Sequence, residues 1–183
     1  VHLATQVWVQ EQGFTKQTME RAVRHLAAAF PSNYYTNRKL WRIFLPHSLR
    51  ALQESEGHDT EERSELNIKV ARCLEADGRI REAVRCYEEI CRWNECQYAE
   101  DHPSRLASYH ALASVYQDNG QIGEAVKLLE YVVAVYVTTL AEEHPDRLAS
   151  LHKLASVYHA DGQIGKAVKL LEHVVTIKET TLA

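Results

Sequence analysis

The 183 residues carry 25 acidic against 21 basic side chains, a formal charge of −4 and a pI near 6.2. That balance offers no basic stripe to displace counterions from nucleic acid, and no apolar run approaches the roughly 20 residues needed to cross a bilayer. Seven glycines and four prolines are too few for a turn-rich β fold, while 45% hydrophobic residues suffice for a core, so long helices are expected.

Val1 opens the sequence with no charged-then-apolar leader, which gives the expectation of an excised piece of a longer polypeptide without a signal peptide. Three apolar-striped helices are predicted in residues 1–60: Val1–Gln10, Thr15–Phe30 and Asn37–Gln53. Gly13, Pro31-Ser32-Asn33 and the Glu56-Gly57-His58-Asp59 cluster separate them. Pro46 is expected to kink or interrupt the third. As a whole, 1–60 reads as an N-terminal helical cap over the apolar face of the segment that begins at residue 61.

Beyond residue 60 the sequence repeats itself. Residues 103–141 and 145–183 align without a gap at an offset of 42, with 27 of 39 positions identical. A weaker copy occupies 61–99, and Gly78, Gly120 and Gly162 share one phase, as do Ala83, Ala125 and Ala167. The units are therefore 61–102, 103–144 and 145–183.

Each unit reads as two helices. In the second unit, Leu106, Tyr109, Leu112, Ala113 and Tyr116 form one apolar stripe over about Pro103 to Gln117. Proline in the first turn sacrifices no intrahelical bond. The second helix starts near Gln121 and carries Ala125, Leu128, Leu129, Val132 and Val133 on one side. Gly120 between them suits the left-handed residue that closes a helix. Small residues at Ala113 and Ala125 allow close approach, and Tyr116 and Leu129 are expected to fill the gap to the next unit. A single hairpin cannot bury its stripe alone, so the units must stack into a right-handed α-solenoid, an all-α fold. At Thr181-Leu182-Ala183 the sequence stops one step before a further Glu-Glu-His-Pro joint. An uncapped apolar face including Val157, Leu171 and Val175, and self-association through it, are expected there.

The segment LASVYQDNGQIGEAVKLLE resembles a tetratricopeptide repeat, with Leu112, Ala113, Tyr116, Gly120, Ala125 and Leu129 at its spacing. The ordinary unit has about 34 residues. Eight more, at about 1.5 Å rise each, add roughly 12 Å of helix to the pair. With the His-Pro joints at 102–103 and 144–145, that lengthening resembles the kinesin light chain subtype. Upstream, VHLATQVWVQEQG and LAAAFPSNYYTNRKLWRIFLPHSLRAL resemble a segment of fungal STAND proteins, where it joins an NB-ARC nucleotide-binding domain to a tetratricopeptide array acting as sensor. The resemblance implies a cytoplasmic protein-binding array in a signalling NTPase; the alternative is a cargo adaptor or structural assembly module like kinesin light chain. No G-x-x-x-x-G-K-[ST] motif occurs, so any NTPase activity would belong to residues outside this sequence.

No enzyme chemistry is indicated. There is no G-x-S-x-G elbow, and pairs such as Glu88-Glu89 and Glu142-Glu143 read as solvated charge. His152 and His159 are seven apart, roughly 10 Å along a helix, too far for one ion held at about 2 Å, so neither a metal nor a cofactor is expected. Of the cysteines, Cys73, Cys86 and Cys91 stand in repeat phase with Val115, Leu128 and Val133 and read as core residues, while Cys96, in phase with Thr138, reads as exposed. Their spacing fits neither zinc nor a disulfide framework, and reduced thiols in a cytosolic setting are expected. Arg63, Arg105 and Arg147 share a phase and read as joint-stabilising residues.

A tetratricopeptide array lines its concave surface with the first helix of each unit. The non-core positions there are Lys69 and Arg72, then His110, Ser114 and Gln117, then His152, Ser156 and His159. They are the candidate groove for an extended or helical peptide, preferring acidic ones once the histidines charge below pH about 6.5. Kinesin light chains carry asparagines near the sites of His110 and His152, so their peptide preference does not transfer.

Overall fold

The computed structural model describes residues 16–182; the expected helix Val1–Gln10 lies outside the described residues. The described residues contain eight α-helices and no strand, the fold of an all-α repeat solenoid. They are α1 (Lys16–Ala29), α2 (Arg38–Glu54), α3 (Glu61–Ala76), α4 (Ile80–Gln97), α5 (Pro103–Asp118), α6 (Ile122–Thr139), α7 (Pro145–Ala160) and α8 (Ile164–Leu182). A 3-10 turn, Tyr35–Asn37, precedes α2. The chain divides into two compact units, one ending at Arg79 and the other beginning at Ile80.

Within the second unit each helix packs on the next, α4 on α5, α5 on α6, α6 on α7 and α7 on α8. Its core contains the fully buried Ala113, Ala125, Leu129 and Val157, closed by Leu154, Tyr158 and Ala167. Alanine at 113 and 125 removes the side-chain bulk that would hold the helices apart, and Leu129 fills the space toward the following unit. Tyr116 packs against this core as expected, and its hydroxyl also reaches back, donating to Glu88 of the preceding unit at 2.8 Å.

The joints repeat in atomic detail. Gly120 and Gly162 sit at φ of 78° and 77°, and the bonds Gly120 N–H to Gln117 O and Gln121 N–H to Tyr116 O recur as Gly162 to His159 and Gln163 to Tyr158. Left-handed closure of this kind satisfies the last carbonyls of the first helix. At the other joint, the ring Nδ1 of His102 accepts from Ser104 N–H at 3.2 Å, and that of His144 accepts from Asp146 N–H at 3.2 Å. Both histidines are therefore N-caps, with the ring proton on Nε2. Arg105 and Arg147 then donate to the carbonyls of Tyr98 (3.3 Å) and Leu140 (3.0 Å), which end the preceding helices. A guanidinium at a helix C-terminus satisfies orphan carbonyls and opposes the dipole, the joint-stabilising role expected from sequence.

In the first unit α1, α2 and α3 pack mutually. Here a second pattern emerges. Buried Trp41, Leu45, Ser48 and Leu52 lie 42 residues before buried Ala83, Tyr87, Ile90 and Asn94, and buried Met19, Val23, Ala27 and Phe30 lie 44 before buried Arg63, Asn67, Ala71 and Leu74. Residues 16–54 thus carry the burial pattern of another helix pair, with a longer connection between its helices. Trp41 fills the slot that is alanine in the three recognised units, and its indole N–H finds no acceptor among the described residues. Pro46 does not interrupt α2, which is continuous through it. The proline is exposed, so water can take the carbonyl its missing N–H leaves free. In place of an alanine contact, Asp77 after α3 is clamped by Arg38 (2.9 Å) and Arg42 of α2. Their hydrogen bonds hold the Asp77 carboxyl below its ordinary range. Arg63 donates to Leu52 O and Ser55 Oγ, both at 3.3 Å.

Cys73, Cys86 and Cys91 are buried and Cys96 is exposed, all as free thiols. Burial pushes Cys73 up to about 11 and Cys91 up to about 12. Both are protonated at neutral pH and act as small apolar side chains.

The uncovered apolar face includes Leu171 and Val175 as expected, but not Val157. Val157 is fully buried between α6 and α8, whereas Ile164, Val168, Leu171 and Val175 of α8 are the exposed set. Val157 lies on the side of α7 that turns into its own hairpin, which a single-helix periodicity does not distinguish from the outer side.

Candidate protein-binding face

The first helices α5 and α7 touch one another along one side of the second unit. From Ser104 to Gln117 and from Arg147 to Ala160 they hold no carboxylate; the acidic residues sit at their ends, Asp118 and Asp146, or on the second helices and joints, as Glu124, Glu130 and Glu142 do. The face between α5 and α7 is thus neutral to basic in a chain that is acidic overall.

Gln117 and Ser156 meet across it, Nε2 donating to Oγ at 3.4 Å. The Ser114 hydroxyl is turned back onto the His110 carbonyl at 3.2 Å. His152, Ser156 and His159 are exposed. His110 is half-buried, and its Nε2 is buried without a hydrogen-bond partner among the described residues. Burial first, and then the Lys153 ammonium, hold His110 below its ordinary value of 6.5, against a smaller opposing pull from Asp146. A neutral His110 is therefore favoured in the fold. Below pH 6.5 the unfolded chain takes up that proton first, so this histidine makes the second unit less stable as pH falls toward its folded-state value.

The other two candidates belong to the first unit. Lys69 is half-buried and its ammonium donates to Ala27 O at the end of α1 at 2.7 Å, while also pairing with Glu65 at 2.7 Å. Lysine at that carbonyl fits the negative end of the α1 dipole. Arg72 is exposed. The structure thus brings together Gln117 with Ser156, sets the Lys153 ammonium within electrostatic reach of His110, and places Lys69 on a helix end.

Sequence reasoning missed two kinds of participant. Lys153 lies among apolar residues on α7 and is identified only through the electrostatic effect of its ammonium on His110. The Tyr–Glu bonds, Tyr116 to Glu88 at 2.8 Å and Tyr158 to Glu130 at 2.5 Å, tie each first helix to the second helix of the preceding unit. Their 42-residue phase was visible, but only a fold shows that two positions 28 residues apart meet. Among the described residues no group of three or more His, Cys, Asp or Glu side chains could hold a metal ion. No helix of the described residues is long and apolar enough to cross a membrane.

Comparison with known proteins bears on this geometry. The tetratricopeptide repeat family matches residues 104–180. The chain is similar to the crystal structure of nearly identical TPR-like repeats assigned to a kinesin light chain of Podosopora anserina, at 39% identity and a TM-score of 0.71, over 89% of this chain and 76% of that one. BtubC (BKLC) of P. vanneervenii shares the fold at 16% identity and a TM-score of 0.69, over 96% of this chain and 77% of that one. No curated protein matches the chain. With its 42-residue hairpins, glycine closures and kinesin-light-chain-like neighbours, the chain belongs to the tetratricopeptide repeat family.

Proposed function

We propose that this chain is a protein-recognition scaffold whose concave face, formed by the first helices, takes an acidic peptide or protein segment. The carrying observation is the exclusion of carboxylates from Ser104–Gln117 and Arg147–Ala160, together with Lys153 and the exposed His152 and His159 on the same helices. Gln117, Ser114 and Ser156 supply neutral hydrogen-bonding groups between them. A polar, uncharged floor with basic flanks suits an extended backbone carrying carboxylates.

The test is calorimetric titration with a decapeptide alternating Glu and Ala, against its Gln counterpart, at low salt. The Glu peptide is expected to bind at least about tenfold more tightly, and Lys153→Glu to abolish the preference. Indifference to peptide charge, or to His110→Ala and His152→Ala together, removes the assignment. Because His110 is held below 6.5, any gain it contributes on acidification must begin below that pH.

For the larger protein, we favour the sensor array of a STAND-type signalling NTPase in the cytoplasm. The likeness of residues 1–52 to the segment that follows fungal NB-ARC domains supports this, as do buried free thiols in place of aliphatic residues. A cargo-adaptor or assembly module is the second reading, favoured by the kinesin-light-chain-like neighbours. An upstream P-loop in the parent polypeptide would decide for the first; an upstream heptad coiled coil would decide for the second.

A further inference from the structure

The solvent side of α2 departs from the repeat in two ways. Leu40 and Ile43, one turn apart, are 48% and 64% exposed. At the 42-residue offset, Leu40 corresponds to Glu82, Glu124 and Lys166, and Ile43 to Arg85, Lys127 and Lys169. The other three second helices thus carry only charged side chains at these places, and the fold itself asks for no apolar group there. Charge is the second departure. From Arg21 to Gln53 there is no acidic residue, against Arg21, Arg24, Arg38, Lys39, Arg42 and Arg50. On α2, Lys39, Arg42, His47 and Arg50 are exposed around the two apolar side chains. Arg42 is engaged with Asp77 and Arg50 with Glu54, yet these arginine side chains remain 50% and 72% exposed. Beyond Gln53 the sign reverses, with Glu54, Glu56, Asp59 and Glu61 all exposed.

We propose that the solvent side of α2 docks an acidic amphipathic helix of a protein partner, its apolar stripe over Leu40 and Ile43 and its carboxylates against Lys39, Arg42 and Arg50. Charge sets the partner's sign. Shape sets its form, because an apolar strip along one exposed helix is matched by a second helix laid beside it. An anionic bilayer suits the site less well: its breadth would also bring it against the carboxylates that follow Gln53. None of the residues assigned to the concave face takes part.

The probe is a fluorescein-labelled peptide of three Leu-Glu-Ala-Leu-Glu-Glu-Ala heptads, titrated into the 183-residue chain at low salt. It is expected to bind one to one and to slow amide exchange in α2. The double variant Leu40→Glu, Ile43→Arg gives α2 the residues that α4 carries at the same places, Glu82 and Arg85. It is expected to unfold at the parent's temperature and to weaken binding at least about tenfold. Lys39→Glu is expected to weaken binding about threefold at low salt, with the difference fading as salt is raised. Lys153→Glu, which alters the concave face, is expected to leave the affinity unchanged, and a peptide with Lys in place of every Glu is expected not to bind. No binding of the acidic peptide overturns the proposal, as does binding indifferent to the double variant or lost with Lys153→Glu. Co-sedimentation with phosphatidylserine vesicles that the double variant abolishes, without peptide binding, would overturn it in favour of a bilayer. Concentration-dependent doubling of the chain's own mass that the double variant abolishes, again without peptide binding, would overturn it in favour of a second copy.

Discussion

Two regions of this molecule build helix pairs of one kind by different means. In the second unit, from Ile80, Ala83, Ala125 and Ala167 sit buried where the helices approach. In the first, Trp41 fills the equivalent slot, and Asp77 is held between Arg38 and Arg42 rather than followed by a tight alanine contact. The second unit relies on shape repeated at a fixed pitch; the first relies on one large ring and one charged clamp. The difference teaches that the repeat's pitch belongs to its backbone and joints, while the side-chain solution at the point of approach is free to change.

The comparison breaks most readily at Trp41. Trp41→Ala is expected to cost about 3–5 kcal/mol, through lost transfer energy and an unfilled cavity. Amide exchange should accelerate in α1–α3 and change little in α7 and α8. Uniform acceleration throughout would show the two solutions to be one cooperative system. The converse substitution, Ala125→Leu, puts bulk where the second unit has none, and an expected loss of about 1–3 kcal/mol in denaturant unfolding would confirm that alanine there is a packing requirement. At the joints, Gly120→Ala meets nothing within 4 Å, so its cost is conformational alone, about 1 kcal/mol for an L-residue at φ of 78°. Gly120→Asn should cost less, as measured by thermal unfolding.

The smallest effect separates the units by pH. The folded-state value of Asp77 lies below its ordinary 3.8, owing first to the Arg42 bond and then to Arg38. Its contribution is therefore complete above pH 3.8 and is lost as pH falls through the folded-state value. Acid should loosen α1–α3 in the native chain but add little further loosening in Asp77→Asn. Equal acid sensitivity in both proteins would show the clamp to be idle.

Most of the second unit could be read from sequence, because gapless identity at an offset of 42 residues fixes helix pairs, their joints and the alanine slots together. The arginines at 105 and 147 were legible for the same reason. Two features hid the helix pair in residues 16–54. Tryptophan stands where the repeat has alanine, and the connection from Phe30 to Asn37 shifts α1 by two residues out of phase. The histidine caps went unread because His is not among the usual capping residues, and a ring nitrogen accepting a backbone N–H depends on tautomer rather than on residue class. The candidate face was legible as a set of positions, but side-chain partners were not. Lys69 is long enough to reach a helix end, and nothing in its spacing says that it does.

In the second unit the side-chain hydrogen bonds from Tyr116 to Glu88, Tyr158 to Glu130 and Gln117 to Ser156 span 28, 28 and 39 residues, each within one pitch of its origin. Such a molecule can grow or shrink by whole duplicated segments without redesign. The same property carries a hazard during synthesis and refolding. With 27 of 39 positions shared by the last two segments, a helix can find a stranger's seat almost as good as its own. The twelve positions that differ are where the chain tells the two apart.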